Sequence, residues 1–470
     1  MRYILIGLCC CWMLFAEAQT DSVVLTFEQY LEQVYTNHPL AKRANLQRQE
    51  AAAYLQKAKG GFDPKIGTTW DYKEFKEKTY FNIFNAYLKV PIWSDIELEG
   101  GYNHANGYYL NPEQTLPDVG QAYLGVKIPL LQGLLTSERR IVLQQARLLE
   151  SASEAEIQTA LNNLLYTAGK KYWDWTKSYN ELLVIQQSLV AAQQQLSATR
   201  ASFIQGDKPA IDTLKDFIQV QERQVLLANS RVAFQNYRRA VSGFLWDVIN
   251  NPLLLEETVY PVVLQQLNTL PLEEVLLENS LELLEDHPDL VAYDYKLQGL
   301  ALKRRLNSNK LLPKLNVKYN FLSVESVDFF GTEGVAPIEN YKLGLEFSMP
   351  LFLRKERAEL ALTDLKLRAT EFQLDNKQRD LRIKLENYFN EVQIFAAQTQ
   401  TLEQMVNNYS ILLEAERIKL NLGESSVFLV NVRQNQLLEA QRKLIKQQVK
   451  YLKARMAFFW VTATLSGNDN

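Results

Sequence analysis

Few side chains in this sequence can do chemistry. Of 470 residues, three are His and three are Cys. His38 and His287 each stand directly before a proline, and His104 stands apart from both. Three scattered imidazoles do not make a zinc site, which gathers four N or S ligands at close spacing; a structural role where the chain bends suits the two His-Pro pairs better. Cys9, Cys10 and Cys11 are consecutive and lie in an apolar N-terminal stretch. Once that stretch is removed, the chain has no thiol for a disulfide, a thiolate metal site or a nucleophile. Neither G-x-x-x-x-G-K-[ST] nor G-x-G-x-x-G occurs. The 54 Asp and Glu are plentiful, yet nothing pairs two of them in a recognisable acid–base pocket. A formal charge of −3 leaves no basic footprint for nucleic acid. The expectation is a protein without catalysis, cofactor, metal or nucleic-acid partner.

What remains is the physical chemistry of rows. Between Pro313 and Phe321, Leu315, Val317, Tyr319 and Phe321 alternate with Lys314, Asn316, Lys318 and Asn320. Tyr341, Leu343, Leu345, Phe347 and Met349 alternate with Lys342, Gly344, Glu346 and Ser348. Ile66, Thr68, Trp70 and Tyr72 alternate with Lys65, Gly67, Thr69 and Asp71, and Ala122, Leu124, Val126 and Ile128 with Gln121, Tyr123, Gly125 and Lys127. Such alternation, rich in Tyr and Phe, fits strands with lipid outside and water inside. A tilted strand crosses the hydrocarbon layer in about 9–11 residues. Strands are therefore expected near 64–73, 120–129, 313–322 and 340–350. A further hairpin near 80–104 either extends outside the membrane or adds strands to the wall.

The elements that hold these strands come in two copies. His38-Pro39 recurs as His287-Pro288, and Asp63-Pro64-Lys65-Ile66 answers Leu312-Pro313-Lys314-Leu315, both at an offset of 249. Leu124-Gly125-Val126 with Pro129-Leu130 answers Leu343-Gly344-Leu345 with Pro350-Leu351, and Arg200 and Gly206 answer Arg417 and Gly423. Matches in the same order mark an internal duplication. The chain divides into a leader at 1–18, a first repeat at 19–249, a connector at 250–271 with Pro252 and Pro261, a second repeat at 272–466 and a tail at 467–470. The leader has Arg2, an apolar run from Tyr3 to Phe15 and Ala16-Glu17-Ala18, the pattern of a cleaved secretory signal. The residues preceding the cysteines are not small, which argues against lipid attachment.

Each repeat reads as a helix carrying His-Pro, strands, a very long helix, a Gly turn and a return helix. Thr136 to Gln205 holds one glycine and no proline, and Leu353 to Leu422 holds neither. Runs of about 70 residues at 1.5 Å per residue make helices of roughly 100 Å. Ile157, Leu161, Leu164, Ala168, Tyr172, Trp175, Tyr179 and Leu182 step by threes and fours. Leu374, Leu381, Tyr388, Phe395, Leu402 and Tyr409 recur every seven, beside a companion row of Leu385, Val392, Val406, Leu413 and Leu420. That spacing is a coiled-coil seam. Four or six strands cannot close a membrane barrel, and an open edge cannot stay in lipid. The chain must therefore assemble with copies of itself, and an even strand number per repeat returns both helix pairs to one side.

These features together resemble the TolC family of outer-membrane efflux and secretion channels. The resemblance rests on the duplication, the strand pair before each long helix, the Leu-Gly-Val and Leu-Gly-Leu segments with their Pro-Leu, and the Gly turns, and it covers nearly the whole chain after the leader. It implies a mostly α fold with a membrane β-barrel: a homotrimer, four strands per chain in a shared twelve-stranded transmembrane barrel, and long α-helical hairpins forming a periplasmic α-barrel. It implies a cell outer-membrane location, with the protein extending into the periplasm in contact with outer-membrane lipid. It also implies a passive exit duct for efflux or type I secretion, docked to a periplasmic adaptor (membrane-fusion) protein and an inner-membrane pump of RND or ABC type. In that reading the adaptor docks at the tip turns, carried by Arg200, Gly206, Arg417 and Gly423. Asp207, Asp212, Asp216 and Glu424 would supply charge at the tip or pore, where carboxylate rings select cations. Leu429, Asn431 and Val432 stand where the family often has acids after the second turn. The lipid-facing row would be Leu315, Val317, Tyr319, Leu343, Leu345 and Phe347. The rival reading is a non-transporting coiled-coil scaffold anchored at the outer membrane, which the charged inward rows disfavour.

Overall fold

The computed structural model describes residues 23–264, 274–323 and 340–465. The expected leader and tail, and part of the connector, lie outside these. In chain order the first repeat contains β1 (Val23–Val24), α1 (Phe27–Asn37), α2 (Pro39–Lys59), β2 (Lys65–Phe75), β3 (Lys78–Pro91), β4 (Glu97–Asn106), β5 (Gln121–Pro129), α3 (Glu138–Ile204) and α4 (Ala210–Ser242). After β6 (Val259–Tyr260) come α5 (Glu274–Leu283), α6 (Pro288–Asn309), β7 (Lys314–Leu322), β8 (Tyr341–Ser348), α7 (Arg354–Asn421) and α8 (Val427–Val461). Two compact units result: a helical one drawn from 23–39, 164–264 and 388–457, and a sheet-bearing one from 40–163, 274–323, 340–387 and 458–465.

Both His-Pro pairs sit where one helix ends and the next begins. Proline has no N–H to give and tolerates the first helical position. His38 closes α1, itself opened by a capping box in which Gln29 N donates to Thr26 Oγ1 and Thr26 N donates to Gln29 Oε1. His287 caps α6, its Nδ1 accepting from the Asp289 N–H at 3.1 Å. Burial pushes the His287 pKa down, which keeps the imidazole neutral and able to accept. Burial alone would raise Asp289; hydrogen bonds from Lys377 at 2.5 Å and Thr159 at 2.8 Å outweigh it and hold the carboxyl below its usual range.

In the helical unit an aromatic core fixes the helices. Phe27 stacks on Trp173 with centroids 4.6 Å apart, Tyr172 lies 5.9 Å from Trp175, and the Tyr172 hydroxyl donates to the Leu25 carbonyl at 2.7 Å. The lone glycine of the first long run, Gly169, has its reason here: a Cβ would meet Met456 Sδ at 2.4 Å. Six of the eight residues of the expected α3 seam are buried, Ile157, Leu164, Ala168, Tyr172, Trp175 and Leu182, while Leu161 and Tyr179 are half-buried. In α7 the companion row does the packing. Leu385, Val392 and Leu413 are buried, and Val392 joins Ala396, Tyr451 and Ala454 in one cluster. Most of the seven-residue row is only half-buried.

The sheet-bearing unit holds one antiparallel sheet of order β2-β3-β4-β5-β7-β8. The sheet thus holds six strands among the described residues, two more than the four per chain implied by the family resemblance. The segment near 80–104 forms β3 and β4, in the middle of the sheet. β2 turns into β3 through Lys76 and Glu77, both in the left-handed region at φ 53° and 57°, the two-residue turn that matches strand twist. The repeat arithmetic agrees. The offset between copies is 249 at Pro64/Pro313 but 219 at Gly125/Gly344, so the first repeat is 30 residues longer between its first and last strands.

Candidate functional site: an apolar sheet face and two helical tips

Cross-strand register gives the sheet two chemically opposite faces. Leu315, Val317 and Tyr319 pair directly with Phe347, Leu345 and Leu343. Val126, Leu124 and Ile128 lie opposite Tyr319, Phe321 and Val317. The same face continues through Leu98, Leu88 and Ile66. It is turned outward: Leu345 and Trp70 are 70% exposed and Ile66 is 85% exposed. Large apolar side chains bared along a whole sheet face are the reverse of a water-soluble protein, where such patches stay small. Among the described residues no helix is long and apolar enough to cross a membrane.

The opposite face is polar and more enclosed, with Glu99, Tyr123 and Asn320 all buried. Glu99 on β4, only 9% exposed, is its node. Lys318 on β7 approaches it at 2.7 Å, Lys89 on β3 at 3.9 Å, and the Tyr123 hydroxyl on β5 donates to it at 3.1 Å. Lys127 lies 3.8 Å from Glu346, which also accepts from Asn316 at 3.2 Å. Gly125 gives this face room, since a Cβ there would meet the Asn320 side chain at 2.0 Å. Ion pairs half-open to water suit a wetted lining, and none of these charges would survive facing hydrocarbon.

In the helical unit both long helices end identically. The Gly206 N–H donates to the Phe203 carbonyl and the Asp207 N–H to that of Ser202, at 3.0 and 2.9 Å. Gly423 donates to Leu420 and Glu424 to Lys419, at 3.2 and 2.9 Å. Each pair is a Schellman closure, and the glycines stand at φ 80° and 79°, the left-handed position it requires. A Cβ on either glycine would meet nothing within 4 Å. Arg200, Asp207 and Glu424 are exposed, and Arg417 is 3.7 Å from Glu414.

The tip acids differ among themselves. Asp212 pairs with Lys215 at 3.1 Å. Asp216 is 1% exposed, its Oδ1 accepting from Asn431 at 2.8 Å while its Oδ2 has no partner among the described residues. It belongs to a polar seam between α4 and α8: Gln219 donates to Gln434 at 2.8 Å and Arg223 donates to Asn435. Reading the acids singly misses this seam. Its signal is the spacing of Asp216, Gln219 and Arg223, polar residues at core positions of a helix. Also unforeseen are the bare apolar residues around the turns, Ile204, Leu422 and Phe428, which are 82%, 69% and 58% exposed.

Comparison with known proteins agrees with this geometry. Residues 280–459 match the family model of the outer membrane efflux protein. No curated protein matches the chain. Among solved structures, the CmeC outer membrane channel of Campylobacter jejuni superposes with a TM-score of 0.66 at 12% identity, over 93% of this chain and 85% of that one. The outer membrane protein VceC of Vibrio cholerae gives 0.65 at 13%, over 93% and 96%. The open state of the MtrE outer membrane channel of Neisseria gonorrhoeae gives 0.66 at 13%, over 93% and 88%. At such identities the superpositions speak for the fold, while the matched second repeat carries the family's sequence. Residues 280–459 thus carry the sequence of the outer membrane efflux protein family, and the chain has the fold of the outer membrane channels.

Proposed function

We propose that three copies of this chain form an exit duct in the outer membrane, docked through the helical tips to a periplasmic adaptor and, through it, to an inner-membrane pump. The observation that carries the reading is the sheet: apolar and bare on one face, charged on the other, with edges at β2 and β8. Edges left in lipid would strand unpaired N–H and C=O groups. β2 and β8 run in opposite directions, so β8 of one copy can pair antiparallel with β2 of the next and close a ring. Leu315, Val317, Tyr319, Leu343, Leu345 and Phe347 then face lipid, and the Glu99 cluster faces the lumen.

Arg200, Gly206, Arg417 and Gly423 are proposed as the adaptor-docking turns. Two identical closures with bare apolar neighbours support this, since each copy would present two equivalent knobs. Asp207 and Glu424 supply exposed negative charge there, whereas Asp212 and Asp216 are engaged within the chain. The organisation proposed is a cleaved leader at 1–18, repeats at 19–249 and 272–466, a connector at 250–271 and a tail at 467–470. The substrate-driving energy comes from the pump, whether RND or ABC type.

The test is the native mass of the detergent-extracted protein, followed by its conductance in a planar bilayer. A conducting trimer is expected. A water-soluble monomer or dimer overturns the reading and leaves a scaffold in its place.

A further inference from the structure

We propose that each chain contributes six strands to the membrane wall, so that the trimer encloses an eighteen-stranded pore wider than the twelve-stranded one the family resemblance implies. The proposal rests on the trimeric duct described above. Its first support is position. β3 is hydrogen-bonded to β2 on one side, and β4 to β5 on the other. Lifting this hairpin out of the wall would break both ladders and leave β2 and β5 with open edges in lipid.

The second support is the chemistry of the hairpin's faces. Leu88, Ala86 and Phe84 on β3 continue the apolar row of Ile66, Thr68 and Trp70 in register. Leu98, Gly100 and Tyr102 on β4 continue Val126, Leu124 and Ala122. No ionised side chain lies among these positions. The alternate positions carry Lys89, Asn85, Glu99 and Asn103, on the face where Glu99 meets Lys318. A hairpin standing in water outside the membrane has no need of this segregation. At 14 and 10 residues, β3 and β4 are each long enough to span.

The third support is the hairpin's base. Ser94, fully buried, donates its hydroxyl to the carbonyls of Gly133 and Leu134 at 2.6 and 2.8 Å. The Arg140 guanidinium lies 4.3 Å over the Trp93 ring, and Arg139 pairs with Glu97. The turn between β3 and β4 is therefore fastened to the entrance of α3, as a wall element must be. The 30-residue excess of the first repeat falls at this hairpin, so it reads as a strand pair inserted into one repeat of an otherwise matched duplication.

The consequence is a larger opening. With strands about 4.8 Å apart and tilted by about 40°, twelve strands give a backbone radius of about 12 Å and eighteen about 18 Å. The larger value lies in the range where barrels keep an aqueous channel after their side chains are in place. Bulky, hydrated polar cargo suits such a mouth.

The experiment uses full-length protein in lipid vesicles with a membrane-impermeant maleimide, against the unsubstituted protein as blank. Single variants Asn85→Cys and Asn103→Cys test inward positions of the hairpin, and Ala86→Cys and Tyr102→Cys test outward ones. Asn316→Cys and Val317→Cys serve as the reference pair on β7. The inward positions are expected to label at least tenfold faster than the outward ones in all three strands. Alternation on β7 with labelling of both faces of β3 and β4 overturns the six-strand wall and leaves the duct standing. Loss of alternation on β7 as well overturns the duct reading itself. Electron cryomicroscopy of the unsubstituted protein counts the strands directly: eighteen from three chains is the expected ring, and twelve, from two chains or three, refutes the proposal.

Discussion

Replacing Val317 by arginine isolates the claim that one face of the sheet meets lipid. Val317 is the fourth of nine residues in β7, flanked across the ladder by Ile128 and Leu345. An arginine on the lipid face near the bilayer midplane costs about 2–4 kcal/mol. Each chain therefore loses roughly 30- to 700-fold in its insertion equilibrium. Three copies in one ring together cost roughly 6–12 kcal/mol, which is comparable with the whole stability of an ordinary domain. Asn316→Arg is the matched control. That side chain lies on the polar face, where Asn316 already donates to Glu346 at 3.2 Å, so an arginine there finds a carboxylate and water. The assay is the fraction of heat-resistant oligomer after refolding into vesicles, followed by urea titration of what assembles. Val317→Arg should assemble poorly and Asn316→Arg close to the unsubstituted protein. Equal behaviour of the two variants would falsify the facing of β7 and, through the register, of its neighbours.

Other expectations are independent of that one. The inward sheet positions carry Lys65, Lys73, Lys89, Lys127, Lys314, Lys318 and Lys342 against Asp71, Glu97, Glu99 and Glu346, an excess of three positive charges per chain. Lysine-rich linings favour anions, so reversal potentials in a KCl gradient should show chloride preference, weakened by Lys89→Glu with Lys318→Glu; cation preference in the unsubstituted pore would contradict the lining. At the tips, Gly206→Ala should cost only the left-handed strain of about 1–2 kcal/mol, since no atom lies in the way of a Cβ. Gly206→Trp with Gly423→Trp should abolish export while the membrane trimer persists, and normal export by that variant would count against docking there. His287 has its pKa lowered by burial, so the unfolded chain takes up more protons below about pH 6.5 and stability declines as pH falls through that value. His287→Asn keeps a cap acceptor without titrating and should flatten the thermal-stability profile between pH 7 and 5; parallel profiles would show that the imidazole does not contribute. His287→Ala should lose about 1 kcal/mol at neutral pH.

The strands and helices that proved legible in the sequence are those whose own pattern determines them. The strand expected at 313–322 is β7 at Lys314–Leu322, and the run from Leu353 to Leu422 is α7 at Arg354–Asn421. Period-two and period-seven patterns are local, so they survive in one dimension. The inserted hairpin was blurred because its outward row includes Ala86, Gly100 and His104, which are too small or too polar to advertise a lipid face. The Glu99 cluster was invisible for another reason. It joins β3, β4, β5 and β7, and which strand neighbours which is fixed only by pairing between the repeats. Asp216 looked like an open tip charge because sequence spacing from Gly206 says nothing of helix phase. The partners at Asn431, Gln434 and Asn435 come from the other repeat.

The pairing of β5 with β7 sets an order of events during biogenesis. Tyr123 meets Leu322, 199 positions further along, whereas β2 to β5 form a meander of neighbouring strands. Local hairpins close quickly and distant pairings slowly. The four-stranded meander can therefore take shape first, with the edge of β5 unoccupied until a long stretch of helix has emerged and β7 arrives. An unpaired, apolar edge of this kind recruits other strands indiscriminately. A newly exported chain thus spends its most vulnerable interval between the two repeats, while the edge of β5 waits for β7.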